Sequence, residues 1–230
     1  MPRSANILVI CGLKREAAIL GAPGRTTLCG DAPTLRAKLA AAVSPKPSLV
    51  VSWGLCGSLD PKLRPGDLIL GAEVVSDEGD VRTDKAVTAS LAERLIAAGL
   101  PVVVERLAAS DSPVVTAAAK ADLRRATEAA GVDMESLIAG QYALKHRAPF
   151  AILRAVADPA ERDLPPLALK ALDSYGGINA QAVIRELIRS PVQLAGLGAL
   201  AADSRAAFRA LRRCRGLLPG LFLGLGAADL

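Results

Sequence analysis

The sequence predicts an α/β domain from three features. Continuous apolar runs, Asn6 to Cys11, Ser48 to Trp53 and Pro149 to Asp158, have the length of strands buried on both faces. Helix-length segments separate them, opening at Leu13, Pro33, Val87, Ala117 and Leu137. With 230 residues and 51% hydrophobic composition, the chain can bury a full core within one domain.

The first run stops at Gly12, and Leu13 to Leu20 opens helically, which turns free backbone amides outward at the junction. Any αβ unit shares that form, and Arg15 and Glu16 by default fill a solvated first turn. A turn at Cys29-Gly30-Asp31 precedes the helix Pro33 to Ala42. The second run leads into Gly54-Leu-Cys-Gly-Ser-Leu59, whose glycines let backbone approach a ligand closely. Pro65-Gly66-Asp67 is a turn feeding a further strand, and the acidic segment Ser76 to Asp84 reads as a loop. A helix over Val87 to Ala98, a strand over Pro101 to Leu107 and a turn at Ser110-Asp111-Ser112-Pro113 follow.

After a helix from Ala117 to Ala130 comes Gly131-Val-Asp-Met-Glu-Ser136, then a helix from Leu137 to Lys145. Asp133 and Glu135 are two apart, so on extended backbone they point one way and Met134 the other. A plainer reading has Asp133 cap the next helix and Glu135 sit in its first turn, where the dipole favours an acid. The third run ends in Asp158-Pro159, a carboxylate at a strand end, where α/β sheets bind ligands.

Composition excludes several classes. Aromatics at 3% leave no stacking surface for single-stranded nucleic acid. Seven arginines against two acids between Arg185 and Arg215 account for the whole net charge of +5, so the excess belongs to the tail. Nucleic acid is therefore not an expected partner. One histidine and four scattered cysteines, with no CxxC, argue against a metal site and suit a reducing, cytoplasmic setting. No signal peptide is expected, and the apolar stretch Leu217 to Ala228 is too short and Gly-rich to span a bilayer. In the tail, Pro191 suits the first turn of one helix and Asp203 or Ser204 the cap of a second. Ala207, Phe208 and Leu211 group on one side of that second helix, against Arg205, Arg209, Arg212 and Arg213, which reads as a face for a membrane interface or for the core.

Gly12 to Leu20, Gly54 to Leu59 with Leu63 to Leu70, Val132-Asp-Met-Glu-Ser136 and Leu153-Arg-Ala-Val-Ala-Asp158 stand in a recognisable order. Over Asn6 to Arg189 the chain resembles the purine nucleoside phosphorylase and 5′-methylthioadenosine/S-adenosylhomocysteine nucleosidase superfamily. Cys29-Gly-Asp31, Ala157 to Arg162 with Leu164-Pro-Pro166, and the Arg-rich tail make it most similar to the hopanoid-associated phosphorylases. That resemblance implies a central mixed, twisted sheet flanked by helices, with a catalytic domain over 1–189 and a basic amphipathic helical extension over 190–230. It implies cleavage of adenosylhopane, an adenine nucleoside lipid, by a homo-oligomer with no cofactor; the basic tail Pro191 to Leu230, read as bordering the 5′ side of the cleft, adds a membrane surface as an expected partner.

The resemblance also implies the site. Asp158 matches the acid that protonates the purine at N7, which requires a carboxyl kept protonated by burial. Glu135 matches the acid that grips the ribose hydroxyls, and Glu16 the base that activates water. Met134 matches the residue under the ribose, and Val114 the one whose backbone reads the adenine edge. Gly57, Cys56 and Asp133 complete the substrate wall, with Cys56 a small packing residue and Asp133 a support. Arg15 falls where phosphorylases keep a phosphate-binding arginine, but Ser52 and Leu55 replace other phosphate contacts. Phosphate as co-substrate and water both remain open as acceptor. A hydrolytic nucleosidase for small 5′-substituted adenosines and a non-catalytic nucleoside-binding module are the alternatives.

Overall fold

A computed structural model describes residues 6–21, 25–42, 46–165 and 193–215. Strand β1 (Ile7–Cys11) is buried throughout and pairs in parallel with β2 (Arg25–Cys29) and β3 (Leu49–Ser58). The remaining strands are β4 (Leu68–Val75), β5 (Val81–Arg82), β6 (Val102–Ala109), β7 (Gly131–Asp133) and β8 (Phe150–Asp158). Together they form one eight-stranded mixed sheet in the order β2-β1-β3-β7-β6-β4-β5, with β8 paired to β3 and β4. Following the ladders β3–β8, β8–β4, β4–β6, β6–β7 and β7–β3 returns to the starting strand, so five strands close into a ring.

Alternation along the strands sorts the core into two layers. Ile7, Val9, Trp53 and Leu153 face α1 (Lys14–Leu20), α3 (Lys85–Ala97) and α6 (Gln193–Arg215). Leu8, Ile10, Val50 and Ile152 face α2 (Ala32–Ala41) and α5 (Ser136–His146). Helix α4 (Ala117–Thr127) runs between β6 and β7 and stays largely solvated. The central mixed sheet flanked by helices is thus the architecture expected from sequence.

Four local readings change. Strand β2 reads Arg-Thr-Thr-Leu-Cys, polar enough to miss, because it is an edge strand held by β1 alone. Strand β3 does not stop at Trp53 but continues through both glycines to Ser58, its ladder to β8 unbroken as far as a bulge. A two-residue strand, β5, interrupts the segment read as a loop. The tail is one helix across Asp203: residues 199–215 contain no Gly or Pro, so nothing stops the propagating turns.

Ala207, Phe208, Leu211 and Cys214 of α6 are buried in the same core layer as Trp53 and Leu153. The apolar side that sequence offered to a membrane is therefore taken by β8, β3 and α1. Arg205, Arg209, Arg212 and Arg213 lie exposed on the other side. Residues 166–192, which include the helix start read at Pro191, and residues 216–230 lie outside the described residues.

Candidate active site

Arg154 organises the site. It stands in the middle of β8, wholly buried in a strand whose every residue is buried. An isolated cation there is prohibitive, so its surroundings must answer it. Nη1 donates to Glu135 Oε2 at 3.1 Å and to the Leu55 carbonyl at 3.2 Å. Nη2 donates to Ser52 Oγ at 2.6 Å and Ser136 Oγ at 3.3 Å. Nε lies 2.8 Å from Asp133 Oδ2, an ion pair off the line of a hydrogen bond. Burial opposes the charge of Arg154, but Asp133, Glu135 and Glu16 outweigh it and hold the guanidinium above its ordinary range.

The strand-to-helix junctions deliver those acids. Glu16, three residues past the N-cap of α1, reaches back to accept from Leu13 N at 2.8 Å through Oε2. Its Oε1 accepts from Leu55 N at 2.8 Å. A side chain on Gly54 (φ +154°) is excluded, since its Cβ would meet Glu16 Oε1 at 2.6 Å and Arg154 Nη1 at 2.8 Å. Likewise a Cβ on Gly12 would lie 2.5 Å from Glu135 Oε1. Asp133, the last residue of β7, braces the start of α5: Oδ1 accepts from Ser136 N at 2.8 Å and from Glu135 N at 3.1 Å, and Oδ2 accepts from Ser136 Oγ at 2.5 Å. Glu135 is thus the N-cap residue itself rather than a first-turn acid, and Asp133 supports the helix start from two residues before the cap. Burial pushes the Glu135 carboxyl up to about 8 and raises that of Glu16, with Arg154 pulling both back.

Asp158 ends β8, four residues beyond Arg154. The ladder between β3 and β8 matches Cys56 to Val156 and then Gly57 to Asp158, so Ala157 is the extra residue of a bulge. The bulge re-aims the strand end beside Gly57, where a Cβ would lie 3.5 Å from Asp158 Oδ2. Three residues of β3, about 10 Å, separate Gly57 from Gly54, which Glu16 and Arg154 approach. Lys120 Nζ of α4 pairs with Asp158 Oδ2 at 2.6 Å. Burial nevertheless raises the Asp158 carboxyl, against the bond and charge of Lys120 and the charge of Arg162, and Asp203 adds to the rise. Leu200 and Asp203 bring α6 to this end, lining a small cavity with Asp158, Arg162, Asp163, Leu164 and Pro165. The described part of the tail therefore lies beside Asp158.

Of the residues singled out from sequence, Glu16 and Glu135 meet at Arg154, with Asp133 beneath. Met134 stays half-buried between the two acids of its motif. Gly57 faces Asp158 and Val132, while Cys56 is buried in the core with its thiol raised by that burial. Val114 packs half-buried against Leu59, Ala108, Ala129 and Val132. Arg15 is exposed and lays its guanidinium 4.2 Å from the ring centre of Phe208 on α6. Sequence reasoning assigned no role to Arg154, Ser136 or Lys120. Arg154 had a signal, a charge inside the apolar run Ile152-Leu-Arg-Ala-Val156. Lys120, in an alanine-rich helix, had none.

A family model described as the phosphorylase superfamily matches residues 6–189. Among solved structures, futalosine hydrolase of Helicobacter pylori superposes with a TM-score of 0.67 at 12% identity, covering 96% of this chain and 99% of its own. The 5′-methylthioadenosine/S-adenosyl homocysteine nucleosidase of the same organism gives 0.67 at 12% identity, with 96% and 99% covered. The corresponding nucleosidase of Campylobacter jejuni gives 0.60 at 14% identity, with 93% and 100% covered. At these identities the likeness is one of fold.

Proposed function

The chain belongs to the phosphorylase superfamily, and from that premise we propose that it breaks the N-glycosidic bond of an adenine nucleoside and passes the ribosyl group to water. One observation carries the choice of acceptor. The Glu16 carboxylate already takes the backbone amides of Leu13 and Leu55, in the group of charges centred on Arg154. Such amides and a guanidinium are the donors an inorganic phosphate would need. An internal carboxylate held among them repels a phosphate dianion but accepts a proton from water. Burial raises the Glu16 carboxyl, which makes it a better base.

As a nucleoside-cleaving enzyme, the chain must also improve the leaving group and steady the sugar. Asp158, its carboxyl raised by burial, gives its proton to N7 as the bond to N9 breaks, and the bond's electron pair leaves with the base. Glu135 holds the ribose hydroxyls and, in its ionised form, favours positive charge on the ribosyl group. Separation of Asp158 from the Arg154 cluster along β3 suits a base at one end and a sugar at the other. Met134, Gly57 and Val114 border that span.

For the 5′ substituent we propose the hopane of adenosylhopane, supported by Cys29-Gly-Asp31, the segment Ala157 to Arg162 and the Arg-rich tail. A membrane surface, met by the exposed arginines of α6, and a second copy of the chain are the proposed partners. Product analysis with and without phosphate tests the acceptor: free ribosyl product in both is expected, and a ribosyl 1-phosphate that grows with phosphate would overturn it. Adenosylhopane and 5′-methylthioadenosine, assayed side by side, test the substrate. A higher kcat/KM for 5′-methylthioadenosine would move the reading to small 5′-substituted adenosines.

A further inference from the structure

Helix α4 has one fully buried side chain, and it is Lys120. Every other residue of that helix is at least partly exposed. A leucine or methionine would fill a core position of this size without desolvating a charge. The lysine is instead saturated with acceptors: Nζ lies 2.6 Å from Asp158 Oδ2 and donates to the carbonyls of Pro159 at 2.9 Å and Arg162 at 2.8 Å. Three acceptors use its three N–H bonds. Among the described residues, Oδ2 is the oxygen of Asp158 that has a partner, which leaves Oδ1 for a ligand.

Other charged and titratable groups face Asp158 from each element around it. Arg162 and Asp163 come from the segment after β8, Asp203 from α6 and Cys56 from β3. Arg162 is itself paired with Asp203. Lys120 is therefore the cation in direct contact with the acid.

We propose that Lys120 is a positioning residue for Asp158, pinning one carboxyl oxygen so that the other meets the base, and stabilising the carboxylate left after proton transfer. This rests on the reading of Asp158 as the acid. In the step, the O–H bond of Asp158 breaks, its proton goes to N7, and the electron pair of the C1′–N9 bond goes to the departing neutral base. The pair left on Asp158 becomes a carboxylate beside the Lys120 ammonium, whose own protonation does not change. Water attacks C1′ and gives its proton to Glu16. Exchange with solvent then returns the proton to Asp158.

The experiment uses the full chain and the variants Lys120→Met, Lys120→Gln and Asp158→Asn. Each is assayed for adenine release from 5′-methylthioadenosine across pH, and for nitrophenol release from 4-nitrophenyl riboside, whose leaving group has no ring nitrogen to protonate. The acid must be protonated to work, so it sets the alkaline limb of kcat/KM. Loss of a contacting cation raises that limb, by about 1–3 pH units for a charge this close. We expect Lys120→Met and Lys120→Gln to show it, with kcat for adenine release down roughly 10- to 100-fold. KM should change far less, and the loss on the nitrophenyl riboside should be much smaller.

An unmoved alkaline limb, or equal losses on both substrates, would overturn the proposal. So would failure of both lysine variants to fold while Asp158→Asn folds normally, because the pair would then serve stability. Absence of adenine release by the unaltered chain would instead overturn the proposed function, so the two failures are distinguishable.

Discussion

At the scale of single residues, the site is governed by one cation shared among three carboxylates. Asp133 meets Nε of Arg154, Glu135 meets Nη1, and Glu16 acts through its charge. If all three acids were ionised, the buried cluster would carry a net charge of its own, and the result is a proton retained on Glu135 up to about pH 8. Between the ordinary glutamate value of 4.5 and about 8, the folded chain holds a proton that the unfolded chain has released. Stability should therefore fall as pH rises through that window, by at most about 1.4 kcal/mol per pH unit for one group. Denaturant midpoints at several pH values should show the slope, and Glu135→Gln should flatten it; an unchanged slope in that variant would assign the proton elsewhere. Arg154→Met should cost about 3–5 kcal/mol, because it leaves three carboxylates without their cation. That cluster was half legible in the sequence. Asp133 and Glu135 announced themselves by standing at a strand end, Glu16 stood out only through the family resemblance, and Arg154 left an unread signal by interrupting an apolar strand. Lys120 did not, since nothing in a helix of alanines and charges says which charge points inward.

At the scale of elements, the glycines and the bulge explain why the site lies where it does. Gly54 and Gly57 were visible as close-approach positions, but the approaching atoms are the protein's own Glu16, Arg154 and Asp158. Strand β3 therefore continues where a loop was expected, and β8 can follow it to the acid. Periodicity found the long buried strands and missed β2 and β5, whose few polar residues are ordered by pairing rather than by burial. It also split α6 in two, because a capping residue at Asp203 looks the same whether or not a helix precedes it. In the fold Asp203 pairs with Arg162, so that side chain joins the helix to the segment behind Asp158. Helix α6 belongs to the core layer of Trp53 and Leu153 rather than to a detachable tail. Phe208→Ala should cost about 3–5 kcal/mol, read from chemical denaturation. A chain cut after Ser190 should lose cooperative unfolding altogether. A cut chain that still unfolds sharply would mean that the sheet is complete without the helix.

At the scale of the whole molecule, the distribution of charge decides how the chain would meet a membrane surface. Among the described residues no helix is long and apolar enough to cross a membrane. The apolar side of α6 is spent on the core, so any attachment through that helix must be electrostatic. Arg205, Arg209, Arg212 and Arg213 form an exposed ridge in a segment that carries the chain's excess positive charge. Each basic residue near an anionic surface contributes about 1 kcal/mol, so four give roughly 4 kcal/mol, equivalent to a millimolar dissociation constant. That is enough for reversible contact with the proposed lipid substrate, whose hydrocarbon would stay in the bilayer, and too little to hold the protein there permanently. We expect the full chain to float with vesicles rich in anionic lipid at low ionic strength and to be released by added salt, because screening shortens the reach of each charge. Neutral vesicles should leave it behind. Arg209→Glu with Arg212→Glu should abolish flotation while adenine release from soluble 5′-methylthioadenosine persists, since neither arginine lines the cavity at Asp158. Flotation that resists salt and survives the double substitution would place attachment in residues 216–230. No flotation under any of these conditions would make the ridge an ordinary solvated face, and the proposed lipid substrate would then have to reach Asp158 by another route.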